Sequence, residues 1–434
     1  MDAPGTTRPG LVRAVSRWQL VGLAINDVVG SGVYLLPAAA TALLGAASVW
    51  AVVLAGFAVG LLVLCFAEAS SYFDEPGGAY LYTREAFGRF VGFEVGWMTW
   101  LARVASIASL ANGFVQATAY FWPAAAGGWE RIAIICGMVL LLAAINIRGV
   151  QAGARTAVGL VIAKMLPLVL FIVVGSWFVE GSRLTVLEAP SGGSLGQAAL
   201  LLLFAYAGFE NTPAAAGEYR NPRRDVPFAL LVMILIVTLV YSAVQVVALG
   251  TLPDLARSSS PLAEAAARFA GHWGAWLLTV GAMLSIAGNA GNTTLIGPRY
   301  LFALACDGYG SQWLARVHPD YHTPANAIIL QTVVVLALAL SGSFVQLATL
   351  SVVARVATYI GTAAAVPVLR RRMAIRSGTV RLPLGATIPI AALALAIALL
   401  VSATGANLLA AAGALGVGGV IYGFRRAAPA DAGI

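Results

Sequence analysis

Lys164 is the single lysine among 26 basic residues, which leaves 26 − 1 = 25 arginines. It lies inside the unbroken apolar run Ala157 to Gly175, long enough to cross a bilayer. An ionisable group at that depth is costly and points to function. Arginine keeps its proton in a protein, whereas a desolvated lysine can give it up near neutral pH, so the residue type suits reversible protonation. The competing explanation is a genome biased toward arginine codons in which one lysine survived by chance. Two acids, Asp27 and Glu210, also interrupt apolar stretches, each beside residues that break helices. The first stretch reads Ile25-Asn26-Asp27-Val28-Val29-Gly30-Ser31-Gly32-Val33-Tyr34-Leu35-Leu36-Pro37, and the second Phe204-Ala205-Tyr206-Ala207-Gly208-Phe209-Glu210-Asn211-Thr212-Pro213. Irregular backbone at membrane depth is tolerated where it lines a cavity. Amides freed at the start of a half-helix suit an anion, and freed carbonyls suit an ammonium.

The elements that must position these groups are membrane spans. Hydrophobic residues make up 60% of the chain and charged ones 10%, against about 25% charged in a soluble domain. Apolar stretches of spanning length occur near 17–42, 44–67, 93–120, 131–147, 156–179, 196–216, 227–250, 274–298, 325–341, 345–367, 384–402 and 405–423, which predicts an all-α polytopic membrane protein of about twelve spans. With the N-terminus in the cytoplasm, nineteen basic residues fall inside: Arg8, Arg13, Arg17, Arg84, Arg89, Arg148, Arg155, Arg220, Arg223, Arg224, Arg299, Arg316, Arg370, Arg371, Arg372, Arg376, Arg381, Arg425 and Arg426. Four fall outside (Arg131, Arg183, Arg257, Arg268) and three within spans (Arg103, Lys164, Arg355). That bias predicts a multi-pass protein of the cytoplasmic (inner) membrane with both termini cytoplasmic. The net charge of +8 is then a topology signal and calls for no nucleic-acid partner. Cys65, Cys136 and Cys306 show neither disulfide nor metal spacing, and the histidines (His272, His318, His322) fall in loops, so no metal or cofactor is expected. The basic start followed by Leu20 to Ile25 superficially resembles a signal peptide, but Asp27 and the glycine break argue against cleavage.

The first and sixth spans, five apart, would lead two five-helix halves of opposite orientation, and paired broken helices at matching positions mark a transporter's substrate site. For Gly113 or Gly137 the simpler reading is close helix packing. At the Gly30-Ser31-Gly32 run through Pro37, at Phe204-x-x-x-Gly208-Phe209-Glu210, and in the loop Gly217-Glu218-Tyr219-Arg220-Asn221-Pro222-Arg223-Arg224-Asp225-Val226-Pro227, the chain resembles the amino acid–polyamine–organocation (APC) permeases. The resemblance covers at least spans 1 to 10. It implies the LeuT-type fold: discontinuous helices 1 and 6 within a 5+5 inverted repeat, plus two accessory helices, working by alternating access. The segments would be a cytoplasmic 1–16, a first repeat 17–180, a second repeat 196–367, accessory helices 384–423 and a cytoplasmic tail 424–434. It also implies that Gly30, Ser31 and Gly32 receive a substrate carboxylate, and that carbonyls of Phe204, Ala205, Tyr206 and Ala207, next to Gly208, receive its ammonium. A subset of the family carries a lysine eleven residues before a glycine in span 5, as Lys164 stands to Gly175. In proton-coupled members it resembles a replacement for the sodium ion of sodium-coupled relatives. Carried over, Lys164 would reach span 1 backbone near Gly30 and small polar groups of span 8 such as Ser285, bracing the two bundles when protonated.

Other residues keep two readings. Phe204 and Phe209 are gates or packing, and Glu210 is a structural partner or part of a proton path. Asp27 is a site group or a counter-charge for an arginine. Asn289 and Asn292 bond substrate or only a neighbouring helix, and the Arg220–Asp225 loop is a charged turn or a latch. Arg103 and Arg355 need partners, and Asp27, Glu68 and Glu210 are the available acids. Pro261 to Arg268 forms a short helical pattern, similar to an external lid in the family. The expected function is amino acid transport coupled to H+, with no covalent chemistry. The rivals are a proton-independent amino acid or amino acid/polyamine exchanger and, from another class, a channel or a membrane enzyme, for which neither a filter nor clustered catalytic groups is visible. Ala205 and Ala207 favour a neutral side chain on the substrate. The partners expected are thus a small-molecule amino acid substrate, H+, the lipid bilayer and, for a homodimer rather than a monomer, a second copy.

Overall fold

The computed structural model describes residues 15–75, 77–149, 154–186, 190–376 and 378–424. Arg8, Arg13, Arg425 and Arg426, with nearly all of the terminal segments 1–16 and 424–434, lie outside them. In lipid every backbone polar group must be satisfied within the segment, and this apolar chain accordingly is helical throughout, with no β-strand among the described residues. Fourteen α-helices follow in order: α1 (Arg17–Val28), α2 (Gly32–Leu44), α3 (Ser48–Ser71), α4 (Gly78–Phe87), α5 (Arg89–Ala119), α6 (Gly128–Arg148), α7 (Ala154–Gly175), α8 (Gly192–Tyr206), α9 (Pro222–Thr251), α10 (Pro261–Cys306), α11 (Ala325–Ser341), α12 (Phe344–Arg372), α13 (Thr387–Val401) and α14 (Gly405–Gly423). Among the described residues, six stretches are long and apolar enough to cross a membrane: Gly32–Ser71, Gly128–Arg148, Pro222–Thr251, Pro261–Cys306, Phe344–Arg372 and Gly405–Gly423. Four shorter helices are also apolar: Ile162–Phe178, Gly192–Tyr206, Ala325–Ser341 and Thr387–Val401. The chain is a multi-pass membrane protein.

Each of the twelve expected stretches is helical, with instructive differences in extent. The first is two helices, α1 and α2, parted at Val29 to Ser31. The sixth is α8 followed by a 3₁₀ segment, Phe209–Glu218. The eighth belongs to a 46-residue helix, α10, that kinks at Gly271 with φ 61° and ψ −155°. The lid pattern is therefore the first ten residues of α10, bent over at a backbone conformation that glycine adopts without strain.

α5 packs along α10 and α12, α3 along α9, and α2 against α8, with the largest buried apolar cluster centred on α1, α2, α3, α8 and α9. α14 packs on α5 and α12 and stacks Tyr422 on Tyr309, and most of its surface is exposed. At the end of the bundle where the described chain begins, Arg17 pairs with Asp225 at 2.9 Å and stacks over Phe228, and Arg223 pairs with Asp74. There the Arg220 amide donates to the Val15 carbonyl, tying the segment before α1 to the start of α9.

One charged group holds the chain after α12 in place. The fully buried Glu68 carboxylate of α3 accepts from both arms of Arg370 at 2.6 Å, from the Leu382 amide at 2.9 Å and from the Tyr72 hydroxyl at 3.2 Å. Removing one member of such a pair leaves the other charge uncompensated. Glu68→Ala is expected to lower unfolding free energy in detergent by about 3–5 kcal/mol. A loss under about 1 kcal/mol, the range of surface pairs, would show that the network holds nothing.

Candidate functional site

The two helix breaks meet. α1 ends at Val28, Val29 turns extended (φ −74°, ψ 97°), and α2 starts at Gly32. α8 ends at Tyr206, Ala207 is extended (φ −72°, ψ 150°), and Gly208 takes φ 125°. Glycine is required on both sides. A Cβ at Gly32 would come 2.6 Å from the Ala205 Cα, and one at Gly208 would collide with the Asp27 carbonyl.

The backbone groups released by the first break divide by polarity. Its carbonyls all lie within reach of side-chain donors. Lys164 of α7 donates to the Asn26 and Val29 carbonyls, 3.3 Å each, and Asn289 of α10 to Asp27 at 2.8 Å. The Tyr241 hydroxyl of α9 can donate to Val28 at 3.2 Å or to Ala205 at 3.1 Å, and the Ser285 hydroxyl of α10 to Val29 at 3.2 Å or Gly30 at 3.4 Å. The amides of Gly30, Ser31 and Gly32 meet no acceptor among the described residues, and the buried Ser31 Oγ is likewise unpartnered. At the second break, the Phe204 carbonyl accepts from the Ala207 amide, and the Ala205 carbonyl shares the Tyr241 hydroxyl with Val28. The carbonyls of Tyr206 and Ala207 have no donor among the described residues, nor does buried Asn211 Oδ1.

Between the breaks lies a narrow cavity. Asp27, Gly30, Ser31, Gly32, Phe204, Ala207, Gly208 and Asn289 line it, joined by Ser106, Asn211, Thr293 and Arg355. Tyr206 belongs to the expected set but is not in the wall. Its ring packs 5.1 Å from that of Tyr241, and its hydroxyl donates to the Val52 carbonyl at 3.0 Å, so it braces α8 against α3. Lys164, Ser285, Asn292 and Glu210 also stand behind the wall. Lys164, 1% exposed, lies against Gly288, where a Cβ would be 3.3 Å from its Cε. Tyr34 of α2 donates to the Lys164 carbonyl at 3.1 Å, a second tie between α7 and the first break. Asn292 donates to the Asp27 carboxylate, so that acid is held by an amide, and no arginine among the described residues lies within ion-pair distance of it.

Glu210 Oε1 sits 2.8 Å from Arg355 Nε, and its Oε2 accepts from the Gly208 amide at 2.9 Å. The Arg355 Nη2 donates to Ser106 at 2.8 Å. Phe204 meets Phe344 edge-on at 5.9 Å and faces the cavity, whereas Phe209 is fully buried and stacked on Tyr359, which makes it packing. Ser106, Asn211 and Thr293 escaped the sequence reading. The signal for Asn211 was available, a polar side chain beside Glu210 in an apolar stretch, whereas Ser106 and Thr293 resemble ordinary helix-surface hydroxyls.

The amino acid permease profile matches residues 15–419. The chain belongs to the amino acid permease family. This permease is 27% identical to a methylthioribose transporter of Bacillus subtilis, over 95% of the chain and 93% of that protein. It is 30% identical to a serine/threonine exchanger of the same organism, over 89% and 90%. A vacuolar cationic amino acid transporter of Arabidopsis thaliana is 25% identical over 83% of the permease and 64% of the relative. These relatives are transporters of the APC superfamily, and their names cover different solutes.

Proposed function

We propose that this permease is a secondary active amino acid transporter that works by alternating access and couples to protons through Lys164. In this reading its twelve spans form the LeuT-type arrangement, with repeats 17–180 and 196–367, accessory helices 384–423, and both termini on the cytoplasmic side of the inner membrane. The nineteen-to-four distribution of basic residues supports the orientation. The carrying observation is the polarity of the cavity. Open amides of Gly30 to Gly32 with Ser31 Oγ stand on one side, and the Ala207 carbonyl with Asn211 Oδ1 on the other. An α-carboxylate satisfies the first set and an α-ammonium the second. Methylthioribose carries neither charge and would leave both sets unmet, which favours the amino acid relatives as the guide.

Lys164 supports the coupling. Its ammonium bridges carbonyls on the end of α1, and loss of the proton weakens that bridge by removing the charge that strengthens both hydrogen bonds. A second reading, exchange without protons, is favoured by the serine/threonine exchanger among the relatives.

Thermal unfolding of the purified protein against the twenty amino acids, common polyamines and methylthioribose tests the solute class. A ligand at 100 times its Kd stabilises by about 2.7 kcal/mol. At least one free amino acid is expected to raise the transition, while its N-acetyl and carboxamide derivatives do not. Stabilisation by methylthioribose or a polyamine alone would refute the assignment.

A further inference from the structure

Arg103 is a large buried cation with no carboxylate partner among the described residues. It projects from α5 with 1% exposure, and its Nε meets no acceptor. No carboxylate among the described residues comes within 4 Å of it. Its neighbour is Tyr300 of α10, whose ring lies 4.8 Å below the guanidinium and whose hydroxyl is 3.4 Å from Nη2. Both nearby acids are already engaged: Glu210 with Arg355 and the Gly208 amide, and Asp27 with Asn292. Arg103 stands behind the cavity wall rather than in it. Ser106, one turn along α5, and Thr293, two turns before Tyr300 on α10, both line it, and Arg355 at the same end donates to Ser106.

The charges around the cavity do not balance. With Lys164, Arg103 and Arg355 protonated, three positive charges face at most two negative ones, from Asp27 and Glu210, an excess of at least one. A buried guanidinium without a counter-ion is strongly unfavourable, and the partner its planar fork matches best is a carboxylate. A cationic amino acid or polyamine would enlarge the excess, and a zwitterion would leave it.

We propose that Arg103 is the subsite for a side-chain carboxylate, and that the permease therefore takes acidic, dicarboxylic amino acids. The inference rests on the amino acid reading of the cavity and revises the neutral side chain suggested by Ala205 and Ala207. Ala205 is packed against Gly32 and is not in the wall. With the ligand's net charge of −1, both acids ionised and Lys164 protonated, the site is neutral.

The test is competition in proteoliposomes and thermal shift in detergent with glutamate, aspartate, serine and arginine as probes. Glutamate or aspartate is expected to act at a concentration at least about tenfold below serine, with arginine inert, because a hydrogen bond to a charged group is worth that factor or more. In Arg103→Gln the ratio of acidic to neutral affinity should fall at least about tenfold, and Arg103→Lys should restore part of it. If Arg103→Gln fails to fold, the wild-type competition series decides alone. Binding of serine or arginine with no response to either acid would overturn the inference and leave amino acid transport standing. Serine transport that requires chloride in the wild type, and loses that requirement in Arg103→Gln, would assign the position to an inorganic anion and overturn it too. No response to any amino acid would instead remove the transporter reading beneath it.

Discussion

Replacing Lys164 with methionine is expected to lower amino acid uptake at acidic external pH at least about tenfold and to flatten its pH dependence. The two side chains have similar length, so α7 keeps its packing while the bridge to the Asn26 and Val29 carbonyls disappears. A single hydrogen bond to a charged group contributes about 1.5–3 kcal/mol, and 1.4 kcal/mol already shifts a conformational equilibrium tenfold. The sign follows from the chemistry. The ammonium form bridges more strongly, so wild-type uptake should decline as pH rises and lysine deprotonates, whereas the methionine variant has no such group to titrate. Uptake by Lys164→Met with an unchanged pH profile, measured on the same liposome preparation, would assign the coupling elsewhere and favour the exchanger.

The Glu210–Arg355 pair carries the second large effect. Glu210→Ala leaves the guanidinium of Arg355 in the cavity wall without its acid, and takes from the Gly208 amide the oxygen that fixes the second break. The expected cost is about 3–5 kcal/mol of stability, with transport lost. Replacing both partners with apolar residues, Glu210→Leu with Arg355→Met, should recover much of that stability, since paired apolar replacement is often neutral. It should not recover transport, because the charge balance of the cavity changes as well. Equal unfolding midpoints for Glu210→Ala and the wild type would mean that the pair contributes nothing.

Much of this site was legible in the chain because it depends on local rules. Gly30, Gly32 and Gly208 announce broken helices by residue type alone, and Lys164 stands out by its rarity and its apolar surroundings. What stayed hidden depends on helical phase and on contacts between distant residues. Tyr206 is adjacent to Ala207 in sequence, yet at the last turn of α8 its side chain points to α3 while Ala207 has already left the helix. Arg103 meets Tyr300 across 197 positions, and no periodicity relates them. The acids available to Arg103 and Arg355 were visible, but not that Glu68 is consumed by Arg370 and Glu210 by Arg355. That allocation leaves one cation over, and it emerges only when the helices are packed.

The ion pairs of Arg17 with Asp225 and of Arg223 with Asp74 tie the start of α1 and the chain after α3 to the start of α9. Those pairs sit at the start of α1, and the carbonyls released at its other end are held by Lys164, Tyr241, Ser285 and Asn289.

The most direct measurement is uptake of radiolabelled amino acid by the purified protein in sealed proteoliposomes under an inward proton gradient. The account predicts accumulation above the bath concentration that collapses when a protonophore is added. Failure of every amino acid to accumulate, or accumulation only against a preloaded amino acid and indifferent to the protonophore, would contradict it.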